Sequence, residues 1–300
     1  MRNTLFILFL SLLGAMAIQA QNLKPYTIGA ETSGSVSDVT GKAKAALQSN
    51  GFEILGVYTP AKDANRRVIV ITSPKLIASV KKVGGLTGFA AALRVAVTKE
   101  GSKTIISYTT PEYWGNAYFQ KKYSQVANNY TSFSSQLKSA LSALGSNGGT
   151  AFGSAKGLSA SKLQKYHYML GMPYFQDNHK LKSFGSYSAA VAKIDGHLSQ
   201  GVSGLEKVYS VEIPGKNLKL YGIALTGSNG EAQFLPIIDK GHPKHTAFLP
   251  YEILVSGSNV YMLHGRYRIA LSFPDLSMST FTKIMSTPKD IKNMMLKLTE

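Results

Sequence analysis

Three groups of side chains in this chain could do chemistry. The first joins imidazole and thioether: His167, Met169 and Met172 fall within six residues of one another. Soft donors of this kind suit monovalent copper, although their spacing is irregular and methionine also serves as a gap filler in cores. In the second, His242 and His245 flank Pro243-Lys244, with Asp239 close by. Two imidazoles and a carboxylate can hold a divalent metal, while the proline and lysines favour a solvated turn. The third group is aromatic. Tyr113, Trp114 and Tyr118 precede a glycine-rich stretch, and Tyr166, Tyr168 and Tyr174 follow it. Trp114 and Tyr118, four apart, share one helix face. An aromatic-lined pocket would take a small apolar or aromatic ligand. The same rings also suit a helix and loop packed over a junction between modules. The ligand-binding candidates are therefore Tyr113, Trp114, Tyr118, Tyr166, His167, Tyr168, Met169, Met172 and Tyr174. Metal candidates are limited to His242, His245 and Asp239.

Other chemistry finds little support. With no cysteine, disulfides, thiolate metal sites and a thiol nucleophile are excluded. No His-Glu-x-x-His and no Gly-x-Ser-x-Gly elbow occurs, and the 16 carboxylates form no close local pair of the kind glycoside hydrolysis needs. No cofactor is expected, and the reading leans toward a non-enzymatic protein. The alternatives are a basic envelope-interaction or structural protein without a small-molecule site, and a metal protein or enzyme using His167 or His242/His245.

The elements that would position these groups come in two sets. Residues 26–30 read as a strand and 37–50 as a helix, with Val39, Ala43, Ala46 and Leu47 on one face and Gly51 as its stop. Strands follow at 52–58 and 67–71, then a helix opened by Ser73-Pro74. Residues 91–98 and 104–108 make a hairpin, and a long helical region runs from Pro111 to about 144. The second set repeats the pattern: a helix at 187–198, strands at 205–213 and 218–225, a further strand at 233–238, and a hairpin of 251–255 with 260–272. Helices at 278–284 and 288–298 end the chain. Between the sets, 145–150 and 153–157 read as a flexible glycine-rich linker. The segment 47–58 (helix end, glycine, strand, tyrosine) parallels 198–209. The fold class is α+β: two similar modules, each an antiparallel sheet packed with helices, joined by the linker and long helices.

Several of these segments carry a resemblance. The run Gly51-Phe52-Glu53-Ile54-Leu55, then Val68-Ile69-Val70, then Leu93-Arg94-Val95-Ala96-Val97, then Ser107-Tyr108-Thr109-Thr110-Pro111-Glu112-Tyr113 is similar to the small bacterial α+β modules of domain-of-unknown-function family 302. The second half is similar in 247–255 and in Phe273-Pro274-Asp275. The resemblance implies two divergent copies of such a module, about 100 residues each. The family's modules associate in pairs and have no established activity, so no catalytic residue is implied.

Residues 1–20 fit a cleaved export signal: Arg2, an apolar run from Leu5 to Leu13, and small residues up to Ala20. That apolar stretch is short for a membrane span. The organisation expected is a signal peptide at 1–20, a first module at 21–144, the linker and aromatic segment at 145–182, and a second module at 183–300. Removing the signal, whose one charged residue is Arg2, turns the net charge of +17 into +16. An exported protein meets little nucleic acid, so anionic envelope surfaces or polysaccharide are the expected partners of this charge. A generally basic solvated surface would look the same.

Overall fold

In the computed structural model, residues 22–167, 170–171 and 173–300 are described. Residues 1–21, on which the expected export signal falls, and Tyr168, Met169 and Met172 lie outside them. The first half runs β1 (Tyr26–Thr32), α1 (Val36–Ser49), β2 (Glu53–Tyr58), β3 (Arg66–Thr72), α2 (Pro74–Val83), β4 (Leu93–Glu100) and β5 (Lys103–Thr109). A connecting region follows, with α3 (Pro111–Phe119), α4 (Ala127–Ser142), β6 (Ala151–Phe152) and α5 (Ala160–Gln164). The second half runs β7 (His179–Ser183), α6 (Tyr187–Gln200), β8 (Leu205–Ile213), β9 (Leu218–Leu225), α7 (Glu231–Ile238), β10 (Tyr251–Ser256) and β11 (Asn259–Met262). Then come α8 (Gly265–Ser272), α9 (Met278–Thr282) and α10 (Thr287–Leu296).

Both sheets are antiparallel and follow one plan. The first has the order β2-β3-β4-β5-β1-β6, the second β8-β9-β10-β11-β7. Apart from the short β6, the strands correspond one to one, and α1 and α2 correspond to α6 and α7. The details agree as well. The helix after the first strand is capped by a serine in each half, Ser35 accepting from the Asp38 amide and Ser186 from the Ala189 amide. A bulge follows the second residue of β2, at Leu55, and the third of β8, at Val208. The two-residue hairpin turns are Gly101-Ser102 and Gly257-Ser258, each with glycine at positive φ.

Four stretches differ from the sequence reading. Residues 231–238 form α7 rather than a strand, and α7 takes the place that α2 holds in the first half. The run 260–272 is a short strand followed by α8. The long helical region breaks into α3, a 3-10 turn and α4. The glycine-rich stretch is not loose. Ser146 bridges Glu31 through both backbone hydrogen bonds, β6 pairs with β1, and Leu158 bridges Leu23. A side chain at Gly145 would sit 2.2 Å from the Glu31 carbonyl oxygen. Glycine there permits the close approach by which the connection straps the edge of the first sheet.

One core cluster holds α1 and α4 against the first sheet and continues into the second half through Tyr209, Leu220, Leu254 and Tyr267. A second cluster packs α6 and α10 on the far face of the second sheet. Alternation explains the division: Leu218, Leu220 and Leu254 face the first half, while Tyr221, Ile223, Ile253 and Val255 face away from it. The second sheet is thus buried on both faces, and the seam between the halves is packed. β2 and β8 come together at Gly56, where a Cβ would lie 2.2 Å from the Val208 carbonyl oxygen. Backbone cannot swing aside as a side chain can, so Gly56→Ala should cost about 2 kcal/mol. Urea denaturation would show it, and a stability equal to the wild type would refute the tight crossing.

Candidate functional site

The aromatic residues on either side of the glycine-rich stretch do meet. From α3, Tyr113 and Trp114 lie with ring centroids 5.5 Å apart, and Trp114 and Tyr118 5.6 Å apart. Tyr118 then touches Phe175 at 6.0 Å, and Phe175 and Tyr166 both touch Tyr267 of α8 edge-on. This chain of rings fills its space. Tyr113, Trp114 and Tyr118 are 0%, 2% and 1% exposed. Their polar atoms serve the packing: Tyr113 Oη donates to the Leu271 carbonyl at 2.8 Å and Trp114 Nε1 to the Pro25 carbonyl at 3.0 Å. The expected cleft between the halves is therefore occupied by protein.

Polar contacts also cross the seam. Glu252 of β10 accepts hydrogen bonds from Arg94 of β4 and from Arg268 Nη1 at 2.9 Å. It also accepts one from Tyr209 Oη at 2.7 Å. Arg268 Nη2 donates to the Phe248 and Pro250 carbonyls, both at 2.7 Å, and its guanidinium lies over the Phe248 and Tyr251 rings. All three charged side chains are buried. Nearby, Arg66 of β3 pairs with Asp239, and the Thr98 hydroxyl donates to Thr246 at 2.8 Å.

His242, His245 and Asp239 border a hollow of about 480 Å³ at the end of α7, but each is already engaged. Asp239 accepts from Arg66 and from the His245 amide, and His242 pairs with Glu100. His245 Nδ1 lies 3.0 Å from the Ser272 carbonyl. A carbonyl only accepts, so Nδ1 carries the proton. Burial holds this imidazole below its usual pKa. Its ring packs between Tyr26 and Phe273. Among the described residues no group of three His, Asp or Glu side chains could hold a metal.

Open space occurs elsewhere. A hollow of about 880 Å³ lies between the end of α2 (83–87), the end of α3 (118–122) and the connecting segment at 164–165 and 174–176. Tyr118 and Phe119 border it from the core side, and Tyr174 and Phe175 from the connecting segment. Tyr174 is 38% exposed and stacks on His167, with centroids 4.2 Å apart and planes within 9°. A second hollow of about 590 Å³ is bordered by Lys165, Tyr166 and His167. Of the nine ligand candidates, Tyr118 and Tyr174 thus reach the larger hollow and Tyr166 and His167 the smaller. Tyr113 and Trp114 reach neither, and the remaining three lie outside the described residues.

Sequence reasoning passed over Gln120, Gln164 and Gln176, which also line the larger hollow. Only the pair Lys121-Lys122 could have drawn attention to it, and in sequence those lysines look like the others. It also passed over the pairing of His179 with His264, whose rings lie 4.4 Å apart. Burial, aided by His179 and Arg266, pushes His264 down to about 4. The neutral ring accepts from the Arg266 amide at 3.2 Å and caps α8.

No family model matches the chain, and no curated protein is similar to it. A solved structure, the uncharacterized conserved protein DUF302 from Bacillus stearothermophilus, is similar over 39% of this chain and 94% of that one. The identity is 14% and the TM-score 0.34. A likeness this distant carries no argument about what the chain does.

Proposed function

We propose that this chain is an exported, non-enzymatic binding protein made of two copies of one α+β module, and that its ligand enters the larger hollow beside the first module. The shared order of elements, the matching bulges and the matching hairpins support the duplication. The lining of the hollow carries the binding reading: rings, amides and ammonium groups surround it, and among the described residues no carboxylate or imidazole does. Proton transfer at such a place would lack an acid or base of suitable pKa. A flat or apolar ligand face would stack on Tyr174, which leans on His167 and is held ready.

The test is native mass spectrometry of the protein taken from the compartment into which its own cell exports it. A small molecule should co-purify with the wild type. Losing the Tyr174 ring should weaken its capture about tenfold, as the loss of one aromatic contact implies. Capture by Tyr174→Ala as strong as by the wild type would refute the assignment of the hollow.

A further inference from the structure

We propose that the ligand of this hollow is an anionic saccharide, a carboxylated or sulfated sugar chain. The inference rests on the binding reading above and adds the charge and the hydroxyl content of the ligand. Lys121, Lys122 and Lys165 line the larger hollow, and Lys165 also borders the smaller one together with Lys162. All four are exposed. Among the described residues none of these ammonium groups has a hydrogen-bond or ion-pair partner, whereas Lys75, Lys103, Lys219 and Lys244 each have one. Among the described residues no carboxylate lines either hollow. Four free cations facing two adjoining concavities without a counter-charge form a site for negative charge.

The remaining groups fit sugar. Three glutamines provide both donors and acceptors, as hydroxyl groups require. Gln164 Nε2 is taken by Asn116 at 2.8 Å, which orients its side chain. Gln120 sits at φ 51, a left-handed conformation that glycine would adopt more easily. Tyr174 offers one flat ring for the CH face of a sugar. It is the only exposed Phe, Tyr or Trp ring among the described residues. A single-stranded nucleic acid would need a succession of such rings. A lipid surface would engage an exposed apolar projection such as Leu170, which lines neither hollow.

Binding of trigalacturonate, neutral maltotriose and vesicles of anionic phospholipid can be compared by calorimetry with the full-length protein at low and physiological salt. The acidic sugar should bind about tenfold more tightly than the neutral one, and salt should narrow the gap. A Lys121→Gln/Lys122→Gln/Lys165→Gln variant should lose that preference, and Gln120→Gly should weaken binding severalfold without lowering Tm. Equal affinity for the two sugars, no binding of the acidic sugar, or capture by vesicles alone would overturn the proposal. If Tyr174→Ala weakens both sugars alike while the lysine variant changes neither, the hollow remains the binding site and the charge assignment falls. Full affinity for the acidic sugar in both variants would remove the site itself.

Discussion

Glu252→Leu should lower the unfolding free energy by about 3–5 kcal/mol, the range for removing one partner of a buried ion pair. The carboxylate is the only negative charge shared by Arg94 and Arg268, and all three side chains are buried in the seam. Without it, two guanidinium groups face each other in a region that water does not reach. The two arginines would not suffer equally. Arg268 keeps its hydrogen bonds to the Phe248 and Pro250 carbonyls and its two rings. Arg94 loses its ion-pair partner. Adding Arg94→Met to Glu252→Leu should therefore recover more stability than adding Arg268→Met. Denaturant titrations of the single and double variants test this directly. A loss below about 1 kcal/mol for the single variant would show that the cluster is solvated.

The cluster also bears on how the halves dock. An apolar seam of leucines and tyrosines tolerates sliding and repacking. One carboxylate that must meet two guanidinium groups and the Tyr209 hydroxyl does not. The observed docking, which brings Arg94 of β4 to Glu252 of β10, satisfies all of them, as expected of a polar contact that selects one arrangement among many.

Much of this fold was legible because local signals governed it. The apolar face and glycine stop located α1, Ser73-Pro74 located the start of α2, and the hairpin turns located β4, β5 and β10; the caps of α1 and α6, Ser35 and Ser186, were not among the signals read. Failures arose where tertiary context overrode local pattern. Gln233-Phe234-Leu235-Pro236-Ile237-Ile238 is apolar enough for a strand, yet Glu231, turned into the protein, and the packing of Phe234 and Leu235 make it a helix. β7, with Lys180 and Lys182 exposed, lacks the apolar alternation of a strand, and pairing with β11 defines it. The glycine-rich stretch reads as a linker because close approach to a neighbouring backbone leaves no trace in composition. The described aromatic residues on the two sides of the glycine-rich stretch lie near one another. Sequence could not say which of them pack inward, since helix periodicity fixes a face and not what covers it. Lys165 lies more than 40 positions from the pair Lys121-Lys122, and only the fold gathers them.

Glu231 gives the second large effect, and it depends on pH. Its carboxylate accepts from the Ala61 amide at 2.9 Å, the Leu225 amide at 3.1 Å and Tyr58 Oη at 3.3 Å, so a side chain of the second half grips the first. Among the described residues no cation pairs with it. Burial raises its pKa from 4.5 to about 7, with Glu206 adding to the shift and the three donors opposing it. In the folded protein the proton is held up to about pH 7, and in the unfolded chain only up to about 4.5. Between these values the folded state binds more protons, so stability falls as pH rises. The contribution is fully present below about pH 4.5 and is lost through about pH 7, a change of about 3 kcal/mol. Glutamine cannot titrate. The difference in unfolding free energy between wild type and Glu231→Gln should therefore decline across this window and level off above it, while the other carboxylates titrate alike in both proteins and cancel. A difference that stays constant from pH 4 to pH 8 would show that Glu231 is ionised throughout, with its three donors outweighing the cost of burial.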